Sequence, residues 1–95
     1  RTNTCNECKT VLRRSKKYKI SVDDQYRLLH LQDYSCALCI TGITIMSAHL
    51  DHDHRTGKIR GFLCRKCNLA MDAIDSFPIE WIRKALVYRS RRAQD

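Results

Sequence analysis

The chain has no long apolar run, no signal peptide and no lipidation signal. A membrane-spanning helix needs about 20 consecutive apolar residues, so none is expected. Internal repeats and low-complexity tracts are also missing, which excludes solenoid and linker architectures. These absences predict a soluble, cytoplasmic protein without a membrane partner. The chain begins at Arg1 rather than Met, which leaves room for a segment upstream. Acid is scarce at the N-terminus: residues 1–20 set seven Lys/Arg against Glu7 alone, a charge of +6. Residues 21–78 carry six basic and seven acidic residues, and residues 79–95 carry five and two. The basic ends suit a polyanion, because neutralising phosphates releases counterions; a plain solvated surface would look the same by charge alone.

Ninety-five residues make one small domain with a modest core, which a structural metal would help. The expected organisation is a basic N-terminal arm over 1–20 and a folded domain over 21–95. Six cysteines fall as three Cys-x2-Cys pairs, a spacing that suits metal chelation better than structural disulfides. Cys36, Cys39, Cys64 and Cys67 can close a tetrahedral zinc site, which leaves no open position for chemistry and assigns them a structural role. Cys5 and Cys8 lack a second pair upstream and stand apart: half of a site, a shared metal and free thiols all stay open.

Between the two paired knuckles lies His49-Leu-Asp-His-Asp-His54, three histidines and two aspartates in six residues. Asn68 follows Cys67 directly. Zinc closure would bring Asp51, His52 and Asn68 together. Asp51 and Asn68 offer hard oxygen donors, suited to magnesium or manganese. Free imidazole titrates near about 6.5, so a histidine beside that metal suits general-base work, and His52 is the candidate. Each residue also has a plainer reading. His49 can be a packed histidine, Asp53 a turn residue or a partner orienting a histidine, His54 an exposed turn residue or a phosphate contact, and Asn68 a helix N-cap.

The local pattern predicts an α+β fold. Residues 1–20 read as a helix or a loose arm. Ser21 and Asp24 form a capping box for a helix to about Asp33, with Val22, Tyr26, Leu28, Leu29 and Leu31 partly buried. Ile43–Met46 reads as a strand, Arg55–Lys58 as a turn and Ile59–Leu63 as the return strand, which puts the histidine cluster in the connection between strands. One helix is expected from near Asn68. Another starts after Ser76 as its cap, with Pro78 in its first turn and its apolar half (Ile79, Trp81, Ile82, Ala85, Leu86, Tyr88) as core.

Together the residues resemble a known family. From Tyr18 to Arg91, about three-quarters of the chain, the sequence is similar to the phage recombination endonuclease VII group of HNH, or ββα-metal, nucleases. The resemblance rests on Cys36-Ala-Leu-Cys39, His49-Leu-Asp-His-Asp-His54, Thr56-Gly-Lys-Ile-Arg-Gly-Phe-Leu-Cys64 and Cys67-Asn68. It implies a small zinc-stabilised ββα-metal nuclease domain with flanking helices. Asp51 and Asn68 would bind the catalytic magnesium or manganese ion, and His52 would be the general base. His54 would contact the phosphate or stabilise the transition state. The products would carry 5′-phosphate and 3′-hydroxyl ends. Arg13, Arg14, Lys16 and Lys17 of the arm, with Arg55, Lys58, Arg60, Arg65 and Lys66, would hold the DNA backbone. Some relatives place an acid three residues after the asparagine, where this chain has Met71 followed by Asp72. The competing reading is a non-catalytic zinc-knuckle module that binds nucleic acid.

Overall fold

A computed structural model of the protein describes residues 2–91. Helix α1 (Thr2–Tyr18) is followed by α2 (Val22–Leu31), strands β1 (His49–His52) and β2 (Ile59–Leu63), then α3 (Arg65–Asp75) and α4 (Ile79–Arg89). The basic N-terminal segment is thus a helix, not a loose arm. Lys16 and Lys17 occupy its last turn, where cations complement the helix dipole. Lys19 at φ 56° turns the chain out of it.

Ser21 caps α2 as expected: its Oγ accepts from the Asp24 N–H at 3.0 Å. The Asp24 carboxylate does not reach back; it accepts from Arg27 at 2.7 Å instead. The helix stops at Leu31, short of Asp33, because Asp33 and Tyr34 both take positive φ. Its buried face is Gln25 and Leu29, with Val22 and Leu28 partly covered, while Tyr26 and Leu31 stay exposed. Gln25 is tolerated inside because its Nε2 donates to the Val11 carbonyl (2.8 Å) and its Oε1 accepts from Arg14 (3.4 Å).

The expected strand at Ile43–Met46 does not form. Thr44 and Ser47 exchange side-chain bonds with each other's backbone N–H (2.9 and 3.0 Å), which offers that backbone a turn in place of a ladder. Ile43 and Ile45 are still buried, as core plugs rather than strand residues. The pairing strand is the first part of the histidine cluster: β1 takes in His49–His52, so these four lie in a strand, and only Asp53 and His54 fall in the connection as expected. β2 runs over the expected residues. The antiparallel register is His49↔Leu63, Leu50↔Phe62, Asp51↔Gly61 and His52↔Ile59. Arg60 is the extra residue of the resulting bulge, a device that bends a strand and re-aims a side chain.

Helix α3 begins three residues earlier than expected. The Cys64 sulfur serves as N-cap, 3.5 Å from the Cys67 N–H, so Cys67 and Asn68 lie inside the first turns and Asn68 is not a cap. Ser76 closes α3 rather than opening α4, whose N-cap is Pro78. The expectation that α4 packs its apolar half into the core is also corrected. Ile79, Trp81, Leu86 and Tyr88 are 48–72% exposed, and no residue of α4 is buried. The turn at Ser76–Pro78 leads the helix away from the sheet, and Phe77 stacks on Trp81 at 3.9 Å instead of on the body. The core is Val11, Leu29, Ile43, Ile45, Ala48, Leu50 and Phe62, where α1, α2 and the hairpin meet. Among the described residues no helix is long and apolar enough to cross a membrane.

Candidate active site and metal centre

The two knuckles meet at one end of the hairpin. The sulfurs of Cys36, Cys39, Cys64 and Cys67 all lie within 4.8 Å of one another, and Cys39 and Cys64 are 3.6 Å apart. Tetrahedral zinc with Zn–S bonds of about 2.3 Å sets its sulfurs about 3.8 Å apart, so the cluster fits the ion. The first knuckle is built from Cys36 N–H to the Thr41 carbonyl (2.8 Å) and Ile40 N–H to the Cys36 carbonyl (3.1 Å), with Ile40 at φ 58°. Gln32 ties it to the hairpin. Its Nε2 donates to the Phe62 carbonyl and its Oε1 accepts from the Phe62 N–H (2.9 and 2.8 Å).

The thiols differ in acidity. The Thr41 hydroxyl, 3.2 Å from the Cys39 sulfur, helps lower that thiol to about 6. Burial raises Cys36, but backbone bonds from Cys39, Cys64 and Leu38 outweigh it and the net shift is downward. Desolvation, then the neighbouring sulfurs, push Cys67 up to about 12. One thiolate therefore forms readily while the last resists, and a dication supplies the charge that lets all four ionise. Cys8 is exposed on α1, and the Cys5 side chain lies outside the described residues.

A cleft of about 470 Å³, with none of the four cysteines in its lining, lies between α1, β1 and α3. Its walls bring together most of the sequence candidates. β1 contributes His49, Asp51 and His52, the following turn His54, and α3 contributes Asn68 and, one turn on, Asp72. Met71 lines a smaller pocket with Leu38, Gly61 and Leu63. α1 forms the remaining wall with Arg13, Arg14, Lys17 and Tyr18.

Within the cleft Asp51 is buried (6% exposed), and its carboxylate accepts from Arg60 Nε (2.7 Å) and Nη2 (3.2 Å). His52 is half-buried between two rings, Tyr18 at 4.9 Å and His54 at 4.7 Å between centroids. His54 is exposed, and its Nδ1 lies 3.5 Å from Asp75. Asp53 is a turn residue: its Oδ1 accepts from the N–H groups of Arg55 (2.8 Å) and Thr56 (3.3 Å), which hold its pKa down. Arg14 is half-buried, donating to the Ala48 carbonyl at 2.8 Å beneath the Phe62 ring, 5.2 Å away. Burial, then Arg13, lowers its pKa, and among the described residues no acid pairs with it.

The basic candidates thus divide. Arg13, Arg14 and Lys17 face the cleft; Lys16, Arg55, Lys58, Arg65 and Lys66 are exposed outside its lining; Arg60 is bound by Asp51 and Asp75. Two residues that touch this site went unremarked in the sequence. Tyr18 carries no signal of its own. Asp75 does carry one, since an acid at the C-terminal end of a helix opposes the dipole.

A hairpin and helix joined by a four-cysteine cluster that could hold zinc, beside a basic cleft that holds Asp, His and Asn, define a small α+β domain. The sequence model of the recombination endonuclease VII family matches residues 11–91, and the chain belongs to that family. Membership points to nuclease activity. The chain is also similar to the Gene 59 protein of Mycobacterium phage L5, at 31% identity over 72 residues, 75% of this chain and 44% of that protein. It therefore spans less than half the length of that relative.

Proposed function

We propose that the chain is a metal-dependent endodeoxyribonuclease of the HNH, ββα-metal class. The observation that supports this reading is the single cleft lined by Asp51, His52, His54 and Asn68 under the basic face of α1. Asp51 and Asn68 would hold magnesium or manganese, which their oxygen donors suit. Such an ion supplies positive charge for the phosphoryl and departing oxygens. His52 takes the proton of the attacking water. The Tyr18 and His54 rings on either side limit how far its imidazole can turn. His54, at the mouth, contacts the phosphate. Arg13, Arg14 and Lys17 neutralise neighbouring phosphates, which positions the backbone without reading sequence. A relative from a mycobacteriophage supports DNA in the cytoplasm of a bacterial host as the setting.

The test is a cleavage assay on plasmid, linear duplex, single-stranded and four-way-junction DNA, using zinc-loaded protein with and without magnesium or manganese. Cutting only with the added ion is expected. Binding without cutting under every ion would overturn the proposal in favour of a non-catalytic zinc-knuckle module.

A further inference from the structure

The bulge in β2 leaves Arg60 outside the strand register and lays its side chain back across β1. There the guanidinium is shared between two carboxylates. Nε and Nη2 hold Asp51, while Nη2 and Nη1 hold Asp75 at 2.7 and 3.4 Å. Nη2 also donates to the His52 carbonyl at 3.3 Å. All three nitrogens are therefore engaged, which leaves this arginine poorly placed to take a phosphate. A forked, planar cation can bridge two acids in this way and a lysine cannot.

The two acids differ in what else they face. Asp51 is buried, and a buried carboxylate left without a cation is strongly destabilising. Asp75 is only a quarter exposed and ends α3, a helix with no basic residue in its last turn. An acid there works against the helix dipole. Its offsetting contacts are Arg60 and the His54 ring nitrogen at 3.5 Å. On the proposed function a divalent ion binds the same Asp51 carboxylate. Its charge then lies beside that of Arg60 and repels it.

We propose that Arg60 is the resident counter-ion of Asp51 and that Asp75 is the positioning residue that retains Arg60 when a divalent cation takes Asp51. This inference rests on the reading of Asp51 as a metal ligand. Asp75 lowers the cost of metal entry by holding the displaced charge, and through His54 it couples metal binding to the mouth of the cleft. Arg60 keeps Asp51 paired and oriented until the cation arrives.

The experiment is a calorimetric titration of manganese into zinc-loaded, DNA-free protein. Asp75→Asn should weaken manganese binding by about five- to tenfold, the scale of leaving the displaced Arg60 charge without its carboxylate partner in a partly screened site. Arg60→Gln should tighten it by a similar factor. The double variant should match Arg60→Gln alone, since Asp75 acts through Arg60. Additive effects, or single variants within twofold of the wild type, would overturn the inference. Asp51→Asn separates this from failure of the proposed function. If Asp51→Asn binds manganese as the wild type does, the metal assignment itself falls. Should Arg60→Gln not fold, Asp75→Asn, a change at a helix end, decides the matter by whether binding weakens.

Discussion

Asp51 and His52 are neighbours in sequence, yet the bulge falls between them and gives them different partners. Asp51 is held by Arg60, and His52 by the Tyr18 and His54 rings. Substitutions at the two positions should therefore separate. His52→Ala removes the proposed base and leaves the cysteine centre and α1 in place. Cleavage should drop by roughly 10²–10⁴, and DNA binding should stay within a few-fold, measured by single-turnover cleavage and by filter binding. A fully active variant would move the base to His49 or His54. Asp75 permits a test by pH. Its bond to Arg60 holds its carboxyl below the ordinary carboxylate range, so the folded state binds that proton less readily than the unfolded chain. The resulting stability is complete above about pH 4 and is lost as the pH falls through the lower, folded value. The Tm gap between wild type and Asp75→Asn should accordingly be widest near neutrality and close in acid.

Helix α1 puts its charge to different uses along its length. Among the described residues Arg13 and Lys17 face the cleft without a hydrogen bond or ion pair, Arg14 is packed against Ala48 and Phe62, and Lys16 looks outward. Arg13→Ala with Lys17→Ala should weaken DNA binding for every sequence. It should also reduce the slope of log K against log salt by about 1.8, the value for two phosphate contacts. Lys16→Ala should change both much less, and equal slopes in all variants would make α1 ordinary solvated surface. How far such elements could be read in advance depended on what competed with local preference. The β2 strand and the Ser21 cap were legible because alternation and capping are local. Ile43–Met46 has strand-forming residues, but the Thr44–Ser47 side-chain bonds won the backbone. The start of α3 was missed because a cysteine sulfur acts as its cap, a role usually given to Ser, Thr, Asp or Asn. The cleft candidates Asp51, His52, His54 and Asn68 were legible as types and spacing. Arg60 was read as a phosphate contact because a bulge, and thus its bond to Asp51, has no signature in composition.

At the scale of the molecule, the core among the described residues is one cluster of seven buried apolar residues, and α4 adds nothing buried to it. So small a core leaves much of the stability to the four-thiolate centre, and folding and metal binding should be linked. Purified protein should contain about one zinc per chain on this four-ligand logic, and stripping it should abolish the cooperative thermal transition. A metal-free protein with an unchanged Tm would show that the cysteines are ordinary packing.

The hairpin tip has a different consequence. Arg55, Thr56 and Gly57 are exposed, Gly57 has φ 76°, and a Cβ there would meet nothing within 4 Å. A nick between Arg55 and Thr56 divides the polypeptide so that Cys36 and Cys39 stay with the first fragment and Cys64 and Cys67 with the second. Asp51 and His52 go with the first and Asn68 with the second. Neither fragment has a complete centre or, on the proposed function, a complete active site. Mixed together, they should reassemble when zinc is added and should stay inert without it, as read by cleavage of a plasmid in magnesium. The metal that clamps the intact domain would then be the trigger that joins a split enzyme.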